Sequence, residues 1–448
     1  MKKTPGNISR QKISVNAFIK PKLVTTSDQA RSVVVIFTLC GLLMSTSMGI
    51  VSPIFAHLFK ETSSGLRSLS FMSMVPHIAL LLLAPFIGEL EDLYGKRPFL
   101  FLGFVGLMIA DIGYLFAHSV TVYICIRLFQ AIVSVGIMPA MLGIFADAVP
   151  RQHRTHRISL LMAGQAGGLT FGPIIGGFLL VHWGSMVAFS LSALLNLVVL
   201  CLIGTRLPKT SNLQKVRRHR KLTLRCSKSA LMSLLLPLSF LIGLLVLDFI
   251  LAFGHAFVEP QKALYLYKVL NFTPVQFGLL MSTHGLAMLL GLLILSLWGD
   301  SANKRVTIVI GLLSNAFLIF SLLFVRQFTS LFFLSLFSGI GGGMVRPLLS
   351  AYYLNRTTPQ HRSSLIGIKE AVGALGSIVG SLTVVLAGSW LLPHRTFLLG
   401  GSIVVGVSLL ALFVLRSSHV ALPSSAMASS GLHSAEPLPE LSEVTLHE

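Results

Sequence analysis

The chain has 448 residues, of which 54% are hydrophobic and only 11% charged, with a formal net charge of +20. Ordinary soluble domains carry roughly 25% charged residues, so this composition excludes a soluble enzyme and leaves apolar sequence for many spans of ~20 residues. The positive charge is spread over many short loops, which argues against a nucleic-acid partner and for a membrane topology signal.

Residues 1–31 form a basic, polar N-tail. The apolar run behind it is too long and continuous for the h-region of a cleaved signal, so the first span is expected to stay. Twelve spans are expected, at about 32–57, 69–90, 98–117, 121–148, 158–182, 184–205, 230–256, 273–298, 304–325, 329–354, 362–391 and 395–415, with boundaries good to ~2–4 residues. They group into an N-terminal six-helix bundle over 32–207 and a C-terminal one over 230–416. Between them lies a basic linker, 208–229, whose Lys215, Arg217, Arg218, Arg220 and Lys221 suit a solvated loop near anionic lipid heads. From 417 to 448 the chain is Ser-, Pro- and Glu-rich and reads as a disordered tail. The expected fold class is thus an all-α membrane protein of twelve transmembrane helices in two bundles.

Of the 35 Lys and Arg residues, 26 fall on the side of the N-terminus, six on the other side, and three (Arg127, Arg346, Lys369) inside spans. By the positive-inside rule both termini are expected in the cytoplasm of a cell with this protein in its plasma (inner) membrane.

The second half repeats the first at a constant offset of 208 positions. Asp92, Lys96 and Arg97 recur as Asp300, Lys304 and Arg305; Pro139 as Pro347; Gln152-His153-Arg154 as Gln360-His361-Arg362; Gly168 and Gly172 as Gly376 and Gly380. Every identity is polar, Gly or Pro, so apolar composition does not explain them. A repeat this long is a half-protein and not a solenoid unit. In a membrane chain such duplication is typical of a transporter with its site between the halves.

Chemistry of other kinds finds no support. Cys40, Cys125 and Cys201 lie within spans and Cys226 in the linker, with no CxxC or Cys/His ligand spacing. GxSxG, GxxxxGK[ST] and HExxH are all missing, which removes the usual grounds for a hydrolase or an ATP-driven pump. No enzyme activity, cofactor or metal is expected.

The turn after the second span reads Gly88-Glu-Leu90-Glu-Asp92-Leu-Tyr-Gly95-Lys96-Arg97. Gly88 would let helices approach closely, Asp92 at a helix end can pair with cations, and Gly95 permits a tight turn. This segment resembles the loop motif GxLaDrxGrR of the major facilitator superfamily, departing at Leu93. Arg127-Leu-Phe-Gln130-Ala131 in the fourth span is similar to the family's RxxqG element, with Ala131 for Gly. Gly168-x3-Gly172-Pro173-x2-Gly176-Gly177 in the fifth span resembles its antiporter motif, with Ser159 where an upstream Gly is usual. The resemblance spans residues 32–415 and implies alternating access, with Gly88, Leu90, Asp92, Gly95, Lys96 and Arg97, and their counterparts Asp300, Lys304 and Arg305, forming a conformational gate. It points to the twelve-helix drug:proton antiporter branch. Independently of the family, Gly164, Gly168, Gly172 and Gly176 recur every four residues and make one smooth helix face, which Pro173 bends. That face could serve packing alone.

Ionisable residues inside spans are costly and hence functional candidates. Asp111 and Arg127 both fall ~20 Å above the inner membrane surface at ~1.5 Å per residue, so they could pair, with a structural or a supporting role. Arg346, Lys369 and Glu370 fall in the inner third of spans ten and eleven, where Arg346 facing Glu370 would neutralise both. Asp248 has no cationic partner nearby in sequence. A carboxyl in apolar surroundings can take and release a proton near neutrality, so Asp248 and Glu370 rank first as proton carriers; His77 and His255 are read as satisfied polar sites. Met138, Met141 and Phe145 at helical spacing, with Tyr352 and Tyr353, are candidates for an apolar, deformable substrate cavity or for plain packing.

Together these readings predict a secondary transporter acting as a monomer, exporting a small amphipathic compound (a drug, secreted metabolite or siderophore) against protons. A proton-coupled importer of a metabolite is the alternative, and a membrane-embedded enzyme or lipid-handling protein a remote one.

Overall fold

The structure is a computed structural model that describes residues 27–60, 62, 64–148, 154–206, 238–298, 303–355, 362–388 and 390–415. The linker 208–229, the tail 417–448, most of the N-tail and Asp300 lie outside the described residues. Among the described residues there are thirteen α-helices and no strand. In chain order they are α1 (Ser27–Phe59), α2 (Gly65–Tyr94), α3 (Lys96–Leu115), α4 (Val120–Ser134), α5 (Ile137–Ala148), α6 (Arg154–His182) and α7 (Gly184–Arg206). The second half supplies α8 (Leu238–Lys268), α9 (Pro274–Trp298), α10 (Lys304–Ser321), α11 (Phe328–Asn355), α12 (Arg362–Ala387) and α13 (Pro393–Val414).

Twelve stretches of these helices are long and apolar enough to cross a membrane, so the chain is an all-helical, multi-pass membrane protein. The count differs by one because α4 and α5 share a single stretch, Val120–Leu142, loosened at Val135 and Gly136. The seventh span runs further than its sequence suggests. Glu259, Pro260, Gln261 and Lys262 end the apolar run, yet α8 continues through Pro260 to Lys268, and Ala263–Tyr267 are buried.

Helix ends follow local chemistry. Gly95 closes α2 at φ 92°, a region open to glycine, and its N–H bonds back to the Glu91 carbonyl before α3 begins at Lys96. The Ser119 hydroxyl accepts from the Val122 N–H and starts α4.

The described residues divide into two compact units. One comprises those within Met1–Leu222 together with Pro260–Leu289; the other comprises those within Thr223–Glu259 and Leu290–Glu448. The first holds apolar clusters around Phe37, Phe104 and Leu161, around Ile54, Tyr114 and Phe189, and around Val75, Ala79 and Ala131. The second is built around Leu247, Ile308, Leu349 and Val407. In lipid these clusters gain little from leaving water, so close packing and hydrogen bonds must hold the helices together.

Candidate functional site

The motif loop is anchored through its arginines. Arg97 Nη2 donates to the Gly204 carbonyl at 3.3 Å, and Arg305 Nη2 donates to the Leu412 carbonyl. Gly204 and Leu412 lie in the last turns of α7 and α13 and are themselves 208 positions apart, so one contact is built twice. A guanidinium at a helix C-terminus meets unpaired carbonyls and the negative end of the dipole. Both arginines are therefore held within their own unit. A Cβ on Gly88 would meet nothing within 4 Å among the described residues. Leu90 is exposed, and the Asp92 side chain lies outside the described ones. Sequence reading passed over Glu91, which stands where the family motif has a small residue. Its side chain is buried and approaches Gly136 at the break in the fourth span.

The α6 glycines pack as their spacing predicts. A Cβ on Gly164, Gly168, Gly172 or Gly176 would lie 2.5, 2.3, 2.6 or 2.1 Å from the carbonyl oxygen of Thr38, Leu42, Thr46 or Ile50 on α1. The duplicated pair repeats this, with Gly376 and Gly380 on α12 against the Phe249 and Phe253 carbonyls of α8.

Gly177 faces elsewhere. A Cβ there would be 2.2 Å from the Pro274 carbonyl oxygen, and one on Gly278 would be 2.3 Å from that of Pro173, so α6 and α9 touch backbone to backbone within the first unit. Two further hydrogen bonds lie at helix prolines. Beside Pro173, the Ile174 N–H donates to Ser282 Oγ at 3.1 Å; Pro53 in α1 accepts from the Tyr267 hydroxyl at 3.2 Å. Neither hydroxyl was signalled by a motif.

Asp111 and Arg127 do not pair directly. Asp111 is buried, and its Oδ2 accepts from Ser192 Oγ at 2.6 Å and Asn196 Nδ2 at 2.8 Å. The Ser47 and Ser192 hydroxyls lie 2.6 Å apart, and Asn196 Nδ2 also donates to Ser47 Oγ at 3.0 Å, which closes a ring of four polar atoms. Gln130 stands between the two charges, because an amide can serve a cation with its oxygen and a carboxylate with its nitrogen.

In the second unit the structure gathers four of the intramembrane candidates. The Tyr353 hydroxyl donates to Asp248 Oδ2 at 2.5 Å. Lys369, Glu370 and Arg346 are near enough for their charges to act on Asp248. The expected Arg346–Glu370 pair is not formed. Glu370 instead meets its neighbour Lys369 at 3.2 Å, since the long lysine stem swings across the turn. The Glu370 side chain is 63% exposed, and Arg346 is exposed too. Charges uncovered by protein inside a span are costly against hydrocarbon, which favours a watery or interfacial setting for them.

The cavity candidates separate. Met141 is fully buried in the first unit's core, which makes it packing and not a cavity wall. Met138 is half-buried and its sulfur accepts from Gln165 Nε2; the Phe145 side chain lies outside the described ones. Tyr352 is half-buried against Phe240, and Tyr353 is buried on Asp248. His77 Nδ1 is satisfied by the Ser73 carbonyl oxygen.

The model of the Major Facilitator Superfamily matches residues 37–259 and 244–443. The chain belongs to this family. It is a transporter of small molecules across a membrane and not an enzyme, which sets the membrane-enzyme alternative aside. Among its relatives, the multi-drug resistance efflux pump PmrA homolog of Lactococcus lactis is 26% identical over 345 residues, 76% of this chain and 83% of that protein. The multidrug resistance protein MdtG of Klebsiella pneumoniae is 23% identical over 302 residues, covering 67% and 72%. Among solved structures, a D-xylose–proton symporter superposes with a TM-score of 0.69 at 19% identity, covering 85% of this chain and 97% of its own. The human organic anion transporter MFSD10 (TETRAN) gives 0.61 at 19% identity, covering 85% and 99%. These two likenesses show the shared fold.

Proposed function

We propose that this transporter works by alternating access as a proton-coupled exporter of a small amphipathic compound, acting as a monomer with both termini in the cytoplasm. The observation that carries the coupling is the Asp248 carboxyl bonded to Tyr353 and surrounded by Arg346, Lys369 and Glu370 on three spans of one unit. A carboxyl so placed can trade a proton for a substrate group, which is what antiport requires. Export is favoured by the antiporter-like Gly172-Pro173 segment and by relatives named for multidrug resistance and efflux.

The test is flux in oriented vesicles with and without a pH gradient. Asp248→Asn or Glu370→Gln should abolish gradient-driven flux and leave exchange at equal pH largely intact, because exchange needs the conformational cycle but no net proton movement. Normal gradient-driven efflux in both variants would refute coupling through these residues. Flux that follows the proton gradient inward would make the protein an importer.

A further inference from the structure

The polar chain from Asp111 to Arg127 has a direction. Gln130 Oε1 accepts from Arg127 Nη1 at 2.6 Å and from the Tyr114 hydroxyl at 3.2 Å, while its Nε2 donates to Asp111 Oδ1 across the longest link, 3.5 Å. A flipped amide would turn its N–H groups toward two donors and its carbonyl toward a carboxylate, so chemistry fixes the orientation. Behind it, Asp111 is held by Ser192, Asn196 and Ser47, which close a ring on its other oxygen and are all buried. Ahead of it, Nη1 of the guanidinium is held by Gln130, with the Tyr114 hydroxyl beside it. Its carbon lies 6.0 Å from the Phe55 ring centroid, and its buried Nε has no partner. A direct carboxylate–guanidinium fork would occupy two donors at once; the interposed amide occupies one.

We propose that Gln130 is a positioning residue. It passes the constraint of the caged Asp111 carboxylate to Arg127, which is thereby held at one point in the bilayer core with most of its donors kept for a transient partner carrying an oxygen acceptor. The consequence for transport rests on the transporter reading above; the positioning itself does not.

The test reads the arginine directly. The full-length protein in lipid nanodiscs is treated with phenylglyoxal, and adducts on Arg127 and Arg97 are followed separately by mass spectrometry. Gln130→Leu and Asp111→Asn should each raise the Arg127 rate about fivefold or more and leave Arg97, anchored on Gly204, within twofold. The double variant Asp111→Asn/Gln130→Glu moves the carboxylate one step along the chain, directly onto the guanidinium, and should return Arg127 to within twofold of the parent. A merely structural role for Gln130 would not be rescued by that transplant. An Arg127 rate unchanged in both single variants, or a double variant no better than Asp111→Asn, overturns the proposal. If Gln130→Leu also exposes Arg97, the bundle has opened and the Asp111→Asn and double variants decide. Ethidium efflux from cells separates the two readings: a raised Arg127 rate in Gln130→Leu with efflux at the parent level keeps the positioning and removes Arg127 from transport.

Discussion

One helix, α6, presents glycines to two different neighbours, and substituting them should produce two different failures. Gly177→Ala would put a Cβ 2.2 Å from the Pro274 carbonyl oxygen, where ordinary contact begins at 3.4 Å. The obstacle is backbone, so α6 and α9 must part by about 1.2 Å, and overpacking of this kind costs ~1–3 kcal/mol. At ~1.4 kcal/mol per tenfold, the α6–α9 contact weakens about 5- to 150-fold. That contact joins a helix of one repeat to a helix of the other, at the end expected to be external. The conformational equilibrium should therefore shift while each bundle stays folded. Gly172→Ala meets the Thr46 carbonyl oxygen at 2.6 Å and the Gly49 Cα at 2.7 Å, inside the α1–α6 pair, so its similar cost should fall on stability. Gly167→Ala meets only a Leu42 methyl at 3.8 Å and should be neutral or gain up to ~1 kcal/mol of helix propensity. Spin labels at Ser64 and Lys268, read by pulsed dipolar spectroscopy in nanodiscs, report the first effect; thermal unfolding followed by size exclusion reports the second. Gly177→Ala should lengthen the distance distribution at near-parent thermal stability, and Gly172→Ala should do the reverse. An unchanged distribution in Gly177→Ala, or a melting loss equal to that of Gly172→Ala, would refute the assignment of the two faces.

Asp92→Asn should reduce transport strongly while ligand binding survives within several-fold, because a charge-assisted contact at the gate would be lost; Asp300→Asn should be milder, since Asn303 stands where the first loop has Gly95. Wild-type flux in Asp92→Asn would remove the gating role. Introduced cysteines at Asn212 and Ser429 should be protected from external reagent and one at Ser64 accessible, and external labelling at Asn212 would invert the proposed topology.

Features with a period or a fixed composition could be read from the chain. The glycines at 164, 168, 172 and 176 announce a helix face because four residues bring a helix back nearly to the same side, and the structure seats each on an α1 carbonyl. Gly95 was legible as a turn because few residues accept its φ of 92°. Long-range partnership was not. Nothing in the sequence distinguishes Ser47, Ser192 or Asn196 from other small polar residues in spans, and only their convergence on Asp111 gives them a role. Depth arithmetic placed Asp111 and Arg127 level but could not see that Gln130 stands between them. Tracing the repeat at a single offset of 208 also hid part of it. Pro53 and Pro260, inside α1 and α8, are related by 207, so the first helix of each half carries an internal proline one residue out of step.

The distribution of charge separates the two halves of a design that began as one. In the first unit the buried carboxylate is surrounded by donors from α3's neighbours: a serine and an asparagine of α7 on Oδ2, and the α4 amide on Oδ1. Each of these hydrogen bonds is donated to the carboxylate, and losing one from an amide would leave a buried donor unpaired, at a cost of about 1–3 kcal/mol. In the second unit Asp248 has one hydrogen bond among the described residues, from Tyr353, and Arg346 and Glu370, whose charges act on it, are exposed. A group that must gain and lose a proton once per cycle needs a route to water and few competing donors. That contrast is the argument for the proposed proton exchange at Asp248 and Glu370 and the proposed fixed role of Asp111. It also explains why Asp111→Asn and Asp248→Asn, chemically the same substitution, are expected to fail in different assays: the first should loosen Arg127, the second should uncouple flux from the gradient.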